Sequence, residues 1–276
     1  MNESIVFIGG GNMASALLEG LLQSGWPRDG VAVIERDADQ CARLAKRFEV
    51  RSFASYDDAH VNPRVVVWAV KPQVLQAVAL QLSHLMPGAL HVSIAAGIET
   101  ADLCFWFGTQ RVVRAMPNTA AMVQSGVTGM CAAPGATAED RLLAERIMQG
   151  TGIVFWVDSD ERMDAVTAVS GSGPAYVFHF MEGLQRAASA LGFDEALAKE
   201  LTVRVVEGAV RQTLASREPL STLRERVTSK GGTTAAALEV LDRRDTQGAT
   251  MAALRAAYTR AGELAAELGR GGASRS

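Results

Sequence analysis

The chain has 276 residues, of which 48% are hydrophobic, and a formal net charge of −3 at pH 7. This length supports one large or two medium domains, and the small net charge argues against nucleic acid or an anionic membrane as a partner. No uncharged apolar stretch reaches the roughly 18 residues of a membrane span, so we expect a cytoplasmic protein.

The first half of the chain alternates short β-branched runs with segments of helical period. Strands are predicted at 5–8, 31–34, 65–69, 90–94 and 111–114, and helices at 13–24, 39–48, 74–85 and 138–149. Strands that alternate with helices are typical of a doubly wound parallel sheet with helices on both faces. The fold class is therefore α/β over residues 1–158.

The second half, residues 159–268, has helical period throughout, with long helices predicted at 173–191, 194–216 and 247–268. One broad apolar stripe contains Leu197, Leu201, Val205, Val210 and Leu214. We expect a second subunit to cover it, giving a homodimer or a higher assembly of dimers; the alternative is packing within one chain. Residues 269–276 are expected to be a disordered tail.

The glycine-rich segment after the first strand matches the fingerprint of a dinucleotide-binding Rossmann domain. Gly9 allows the tight turn, Gly11 lets the backbone approach a pyrophosphate, and Ala14 keeps the helix close to the strand. Asn12 and Met13 open that helix. A purely structural glycine turn is the alternative, but the position directly after the first strand favours a nucleotide.

The second strand ends at Glu35 and Arg36, where the adenine ribose of a dinucleotide is expected. The Glu35 carboxylate suits the ribose hydroxyls of NAD and repels the 2′-phosphate of NADP, whereas Arg36 attracts that phosphate. The two residues argue against each other, so the choice between NADP and NAD stays open. Arg36 is alternatively a solvated turn residue.

Further polar breaks follow the later strands, at the edge where ligands bind in open α/β sheets. The first is Ala69-Val70-Lys71-Pro72, in which Pro72 is placed to start a helix. The chain has only four lysines, which favours Lys71 as a ribose or phosphate contact over a surface charge. The other breaks contain Ala95, Gly97 and Asn118. Asn118 is a candidate for the nicotinamide side or, alternatively, a turn residue after proline.

A glycine pair, Gly231-Gly232, interrupts the helical half just before a new helix begins. Two adjacent glycines cost roughly 1 kcal/mol each in a helix, so the break needs a reason. The loop combines a helix N-terminus with Ser229, Lys230 and the hydroxyls of Thr233 and Thr234. Such a site suits a small anion, for example a carboxylate.

A second glycine cluster, Ser170–Ala175, lies where the two halves meet, and Pro174 fits the first turn of a long helix. Its glycines allow that helix to start close to the cofactor, or they form a plain interdomain hinge. The three cysteines and four histidines show no ligand spacing, so we predict no metal site and no disulfide framework.

Together these motifs resemble those of pyrroline-5-carboxylate reductase, from Gly9 to about Leu268. The specific parts are Ala69–Pro72, Met116–Thr119, Ser170–Ala175 and Ser229–Thr234. The resemblance implies a Rossmann domain joined to a helical dimerisation domain. It also implies an active site at the dimer interface, to which the glycine–threonine loop brings the substrate carboxylate.

The expected reaction is reduction of the cyclic imine 1-pyrroline-5-carboxylate to L-proline by NADPH or NADH. A protonated imine accepts hydride readily, so the protein mainly has to place it. We predict that the backbone N–H groups of Gly231, Gly232 and Thr233, with the Ser229 hydroxyl, hold the carboxylate. Thr234 is the predicted catalytic residue, since its hydroxyl is expected to donate to the ring nitrogen.

The chain departs from the family pattern in three places. Proline is frequent in the family where Lys230 and Ala120 stand here, and a small polar residue is common at Glu35. Two other functions fit the sequence less well. A β-hydroxyacid dehydrogenase should carry a lysine after the second glycine cluster, where this chain has none, and a NAD(P)-sensing regulator has no need of a second anion loop.

Overall fold

The computed structural model describes residues 4–59 and 61–269. Within them the chain forms eight strands: β1 Ile5–Ile8, β2 Val31–Ile34, β3 Arg51–Phe53, β4 Val65–Trp68, β5 Leu90–Ser93, β6 Val112–Met116, β7 Gly126–Ala132 and β8 Gly152–Trp156. The same residues form twelve α-helices: α1 Asn12–Gln23, α2 Ala38–Phe48, α3 Tyr56–Ala59, α4 Pro72–Leu82, α5 Thr100–Phe107, α6 Ala138–Gln149, α7 Asp160–Val166, α8 Gly173–Ala190, α9 Glu195–Ala215, α10 Leu220–Arg226, α11 Thr233–Arg243 and α12 Thr246–Leu268. Of the tail expected at 269–276, residues 270–276 lie outside the described part. None of the described helices is both long and apolar enough to cross a membrane.

The strands form one sheet in the order β3-β2-β1-β4-β5-β6-β7-β8. All pairs from β3 to β6 are parallel, whereas β7 runs antiparallel to β6 and β8 runs parallel to β7. The predicted α/β fold class is confirmed, and each predicted strand is present. Sequence reasoning missed three strands: β3, which has only three residues, β7, whose glycines interrupt its β-branched pattern, and β8.

Both faces of the sheet are covered, which explains why β1, β2 and β4 are uninterrupted apolar runs. On one face, Phe7 and Val33 pack with Leu17 of α1, Leu44 of α2 and other buried side chains. On the other face, the core contains residues of α4 and α5 together with Trp68. The buried core therefore fixes where each strand ends, and polar residues follow at those ends.

Two compact units divide the chain: one runs through Ser172 and resumes at Ala256, and the other is Gly173–Arg255. The boundary lies later than the predicted one at 158 because α7 packs on the sheet. Met163 and Val166 of α7 are buried with Cys131 of β7. A π-helical turn, Thr167–Gly171, then leads to α8, and Pro174 lies in the first turn of α8 as expected.

The helical unit leaves much of its apolar surface exposed. In the described chain α8 has no buried residue, and α9 buries Ala198 and Thr202. In the stripe predicted from the sequence, Val205 is 63% exposed and Leu214 is 81% exposed. This exposure favours the expected second subunit over the alternative of packing within one chain.

Candidate active site

The carboxyl ends of β1, β4, β5 and β6 meet at one edge of the sheet. The register pairs Ile8 with Trp68, Trp68 with Ser93, and Ser93 with Arg114. The segments that follow these strands, including Gly9–Ala14, Ala69–Pro72 and Ala95–Gly97, therefore start side by side. The strand order also reverses direction between β1 and β4, and such a switch point is where open α/β sheets bind ligands.

The glycine loop after β1 has the geometry that a pyrophosphate cradle needs. Gly9 has a φ of +98°, and a Cβ there would lie 2.7 Å from the carbonyl oxygen of Ala69. Gly11 precedes α1 as its N-cap, and a Cβ there would have nothing within 4 Å. The loop backbone is thus open to a ligand at Gly11, at the positive end of the α1 dipole. These residues fit a dinucleotide.

Glu35 connects the end of β2 to the glycine loop. One carboxylate oxygen accepts the backbone N–H of Gly10 at 2.8 Å, and the other accepts the N–H of Asp37 at 3.0 Å. Asp37 in turn caps α2 by accepting the N–H groups of Asp39 and Gln40. Gln40 closes the network, since its side-chain amide donates to the carbonyl of Gly10. Backbone donors of the protein therefore fix the Glu35 side chain in place.

A cavity of about 430 Å³ opens beside Glu35, and we call it the β2 cavity. Its polar lining includes Glu35, Arg36, Ser55, Asp57 and Gln81, and its apolar lining includes Ile8, Ile34, Tyr56, Val70, Val78 and Leu82. Aliphatic and aromatic walls with a polar rim suit an adenosine. The adenine half of a dinucleotide is expected at this place because β2 ends here.

Two weakly acidic groups lie near this cavity. Burial raises the pKa of the Cys41 thiol, and the negative charge of Glu35 raises it further. The Cys41 thiol donates to the backbone carbonyl of Glu35 at 3.0 Å. Burial also raises the pKa of Tyr56, whose hydroxyl donates to the carbonyl of Val61 at 2.9 Å. Both groups are neutral near pH 7, so they add no charge to the cavity.

The other predicted cofactor residues lie along the same edge with different exposure. Lys71 is exposed as the N-cap of α4, and Pro72 opens that helix as predicted. Ala95 is buried, and its N–H donates to the Ser93 hydroxyl. Gly97 has a φ of +72°, and a Cβ there would lie 3.4 Å from Leu264 of α12. Gly97 thus has a packing role, and its contact with a cofactor stays a prediction.

Asn118 holds the end of β6 to the π-helical turn. Its amide nitrogen donates to the carbonyl of Ser170 at 3.0 Å, and its amide oxygen accepts the N–H of Val127 at 3.2 Å. The side chain is 7% exposed. A positioning role for Asn118 follows directly from these bonds, whereas a contact with nicotinamide stays a prediction.

The loop before α11 has the form predicted for an anion site. Gly231 has a φ of +74°, and Gly232 is the N-cap of α11. A Cβ on Gly232 would collide with the Ser229 hydroxyl. The Gly232 N–H donates to the carbonyl of Ser229 at 3.0 Å, so it closes the turn rather than pointing out as predicted. The N–H groups of Gly231, Thr233 and Thr234 have no hydrogen-bond partner among the described residues.

No three or more His, Cys, Asp or Glu side chains of the described residues are grouped so that they could hold a metal ion. Cys41, Cys104 and Cys131 are free thiols. His91 is fully buried, and His60 lies outside the described residues.

Comparison with known proteins decides the family. Residues 160–264 match the model described as pyrroline-5-carboxylate reductase dimerisation, and residues 4–97 match the model described as NADP oxidoreductase coenzyme F420-dependent. The chain is 40% identical to the pyrroline-5-carboxylate reductase of Pseudomonas aeruginosa, over 96% of this chain and 98% of that one. The chain belongs to the pyrroline-5-carboxylate reductase family.

Solved structures of reductases from this family share the fold over nearly the whole chain. The Coxiella burnetii reductase has a TM-score of 0.89 and 37% identity, covering 96% of this chain and 99% of that one. The Plasmodium falciparum reductase, solved with NADP bound, has a TM-score of 0.85 and 26% identity, covering 96% and 98%. The family and fold expected from the motifs are therefore confirmed, and the helical half of this reductase contains a dimerisation domain.

Several residues of the β2 cavity were not predicted from the sequence, among them three that follow β3. Ser55, Tyr56 and Asp57 lie between β3 and the end of α3. Only the position of β3 at the edge beside β2 brings them to Glu35, and β3 itself was not predicted. No local pattern marked β3, because Phe53 is the one apolar side chain among its three residues.

Proposed function

We propose that this chain reduces 1-pyrroline-5-carboxylate to L-proline with NADPH or NADH as the hydride donor. The observation that carries the proposal is the Ser229–Thr234 loop of a chain from this family. It combines three unpaired N–H groups at a helix N-terminus with the Ser229 and Thr234 hydroxyls. Such a cluster of donors is suited to a carboxylate.

We assign different roles to the neighbouring residues of the loop. The N–H groups of Gly231 and Thr233 and the Ser229 hydroxyl hold the carboxylate. Gly232 contributes its lack of a side chain, which leaves room for the Ser229 hydroxyl. Lys230 is exposed and adds positive potential near the loop.

Thr234 is the proposed catalytic residue. It lies in the first turn of α11, one residue after the start of the helix. As hydride adds to the imine carbon, the nitrogen of the protonated imine gains a lone pair, and the Thr234 hydroxyl donates a hydrogen bond to that nitrogen, which stabilises the developing amine. The bound nicotinamide supplies the hydride.

The cofactor site follows from the sheet edge. We assign the pyrophosphate to Gly9, Gly11, Asn12, Met13 and Ala14, because they form the turn and first helical turn after β1. We assign the adenosine half of the cofactor to Glu35 and Arg36. The ribose and nicotinamide half is assigned to Ala69, Val70, Lys71, Pro72, Ala95, Gly97 and Asn118.

The functional assembly is a homodimer or a larger assembly of dimers, in which the exposed stripe of α9 is covered.

An assay with purified chain, 1-pyrroline-5-carboxylate and each reduced cofactor tests the function. We expect loss of reduced-nicotinamide absorbance, with an equal amount of proline formed and detected by chromatography. Nucleotide binding without any oxidation would instead favour the NAD(P)-sensing regulator. Oxidation without proline would contradict the proposed substrate.

A further inference from the structure

The β2 cavity has an unusual charge balance for a site that binds a phosphorylated ribose. Glu35 and Asp57 line it, and Arg36 is the one cation among the described residues of its lining. Arg36 is exposed and forms no ion pair with the described residues, so it projects from the turn without being fixed. Glu35, in contrast, is partly buried and held by two backbone donors.

Two donors near the end of β2 that could bind a phosphate are already occupied. The Asp37 N–H, directly after the β2 turn, donates to Glu35 at 3.0 Å. The Ser55 hydroxyl donates to the carboxylate of Asp58 at 2.7 Å. A phosphate that bound the Asp37 N–H would have to displace the Glu35 carboxylate from it, and Glu35 would then lose one of the two backbone bonds that hold it.

A free ribose 2′-hydroxyl, in contrast, needs an acceptor and does not have to displace Glu35. Each oxygen of the Glu35 carboxylate has a second lone pair that can accept from a hydroxyl while the backbone bonds remain. The 2′-phosphate of NADP instead brings a charge of about −1.5 to −2 toward Glu35 and Asp57. The fixed carboxylates therefore oppose the phosphate and favour the hydroxyl.

We infer that the β2 cavity selects NADH over NADPH, with Glu35 as the specificity-determining residue. This inference rests on the proposed function, because it assigns the cavity to the adenosine half of the cofactor. Glu35 favours NADH and Arg36 favours NADPH. We expect Glu35 to decide the preference, because backbone hydrogen bonds hold its side chain and Arg36 is exposed.

Binding of the oxidised cofactors tests the inference without turnover. Isothermal titration calorimetry of the purified chain is expected to show NAD⁺ binding at least about tenfold more tightly than NADP⁺ at low salt. Added salt should narrow this difference, because it screens repulsion between the 2′-phosphate and the carboxylates. Equal affinities, tighter NADP⁺ binding, or a difference that widens with salt would overturn the inference.

The variant Glu35→Gln isolates the charge of the side chain. We expect it to tighten NADP⁺ binding by at least about fivefold while NAD⁺ binding does not improve. Glu49→Gln is the matched control, since it removes the same charge at the exposed C-terminal end of α2. An equal effect of both substitutions would overturn the role of Glu35. The comparison in the unmodified chain stands even if Glu35→Gln fails to fold.

The outcomes separate this inference from the proposed function. Reduction of 1-pyrroline-5-carboxylate with a preference for NADPH would overturn the inference alone. Binding of neither dinucleotide would overturn both. Tight NAD⁺ binding without imine reduction would support the cavity assignment and contradict the proposed function.

Discussion

The indole N–H of Trp68 donates to Nδ1 of His91 at 3.0 Å, inside the core beneath the sheet edge. The other ring nitrogen of His91 lies 3.4 Å from the carbonyl of Met86, and Phe107 stacks on both rings. Burial lowers the pKa of His91 to about 4. The ring is therefore neutral at pH 7, with Nδ1 as the acceptor and Nε2 carrying the proton.

This arrangement predicts a loss of stability in mild acid. The unfolded chain binds a proton at His91 below pH 6.5, and the folded chain does so only below about 4. The neutral His91 therefore contributes fully to the free energy of unfolding above pH 6.5. As the pH falls toward 4, this free energy decreases by about 3 kcal/mol. Urea unfolding at fixed protein concentration should show a weaker pH dependence in His91→Gln than in the unmodified chain. The exposed His84 gives a control, His84→Gln, whose profile should match the unmodified chain.

A second prediction concerns the buried guanidinium of Arg114. It is 1% exposed and lies 2.7 Å from Asp160 and 3.2 Å from Asp164. Thr100 donates its N–H and hydroxyl to the same Asp160 carboxylate. Arg114→Leu would leave two carboxylates unpaired and should lower the free energy of unfolding by about 3–5 kcal/mol. Urea titration measures this loss.

The control for Arg114→Leu is Arg260→Ala, because Arg260 forms ion pairs with Glu263 and Glu267 on the surface of α12. Exposed pairs contribute little to stability, so the urea midpoint should stay unchanged. If the two substitutions had the same effect on the midpoint, the buried cluster would have no special role.

The contrast between these clusters and the strands shows what a sequence can predict. The strands Ile5–Ile8 and Val65–Trp68 can be predicted because every residue in them is apolar and buried, so the sequence of each strand is enough to identify it. The bonds from Glu35 to Gly10 and from Asn118 to Ser170 join residues 25 and 52 positions apart. No local pattern encodes such pairs. The glycine loops were predicted because the backbone conformations that need glycine are visible in a short stretch of sequence. The hydrogen bond from the Gly232 N–H to Ser229 was not predicted, because it depends on how the turn closes.

A third prediction concerns the glycine pair of the anion loop. A Cβ at Gly232 would collide with the Ser229 hydroxyl, so Gly232→Ala should turn that hydroxyl away from the place proposed for the carboxylate. We expect a rise of at least about tenfold in KM for 1-pyrroline-5-carboxylate, with NAD⁺ affinity unchanged, because the loop holds only the substrate. Steady-state kinetics and calorimetry separate the two effects. Gly88→Ala is the control, since a Cβ there meets nothing within 4 Å.

A fourth prediction concerns the exposed stripe of α9. Val205 is 63% exposed, and a charge placed there would be buried by a second subunit. Val205→Arg should therefore shift the chain toward monomer in size-exclusion chromatography with light scattering. Arg211→Ala alters an exposed, ion-paired residue of the same helix and should leave the assembly intact. An unchanged dimer in Val205→Arg would place the interface elsewhere.

The final prediction separates catalysis from binding at Thr234. Thr234→Ala removes the hydroxyl proposed to donate to the ring nitrogen but leaves the N–H groups of the loop in place. Loss of one donor to the reacting group should lower kcat by about a hundredfold, because that bond strengthens as the amine forms. The affinity for NAD⁺ should not change, and Thr234→Ser, which keeps the hydroxyl, should retain most of the activity. Equal kcat values for the alanine and serine variants would show that the hydroxyl plays no part in the reaction.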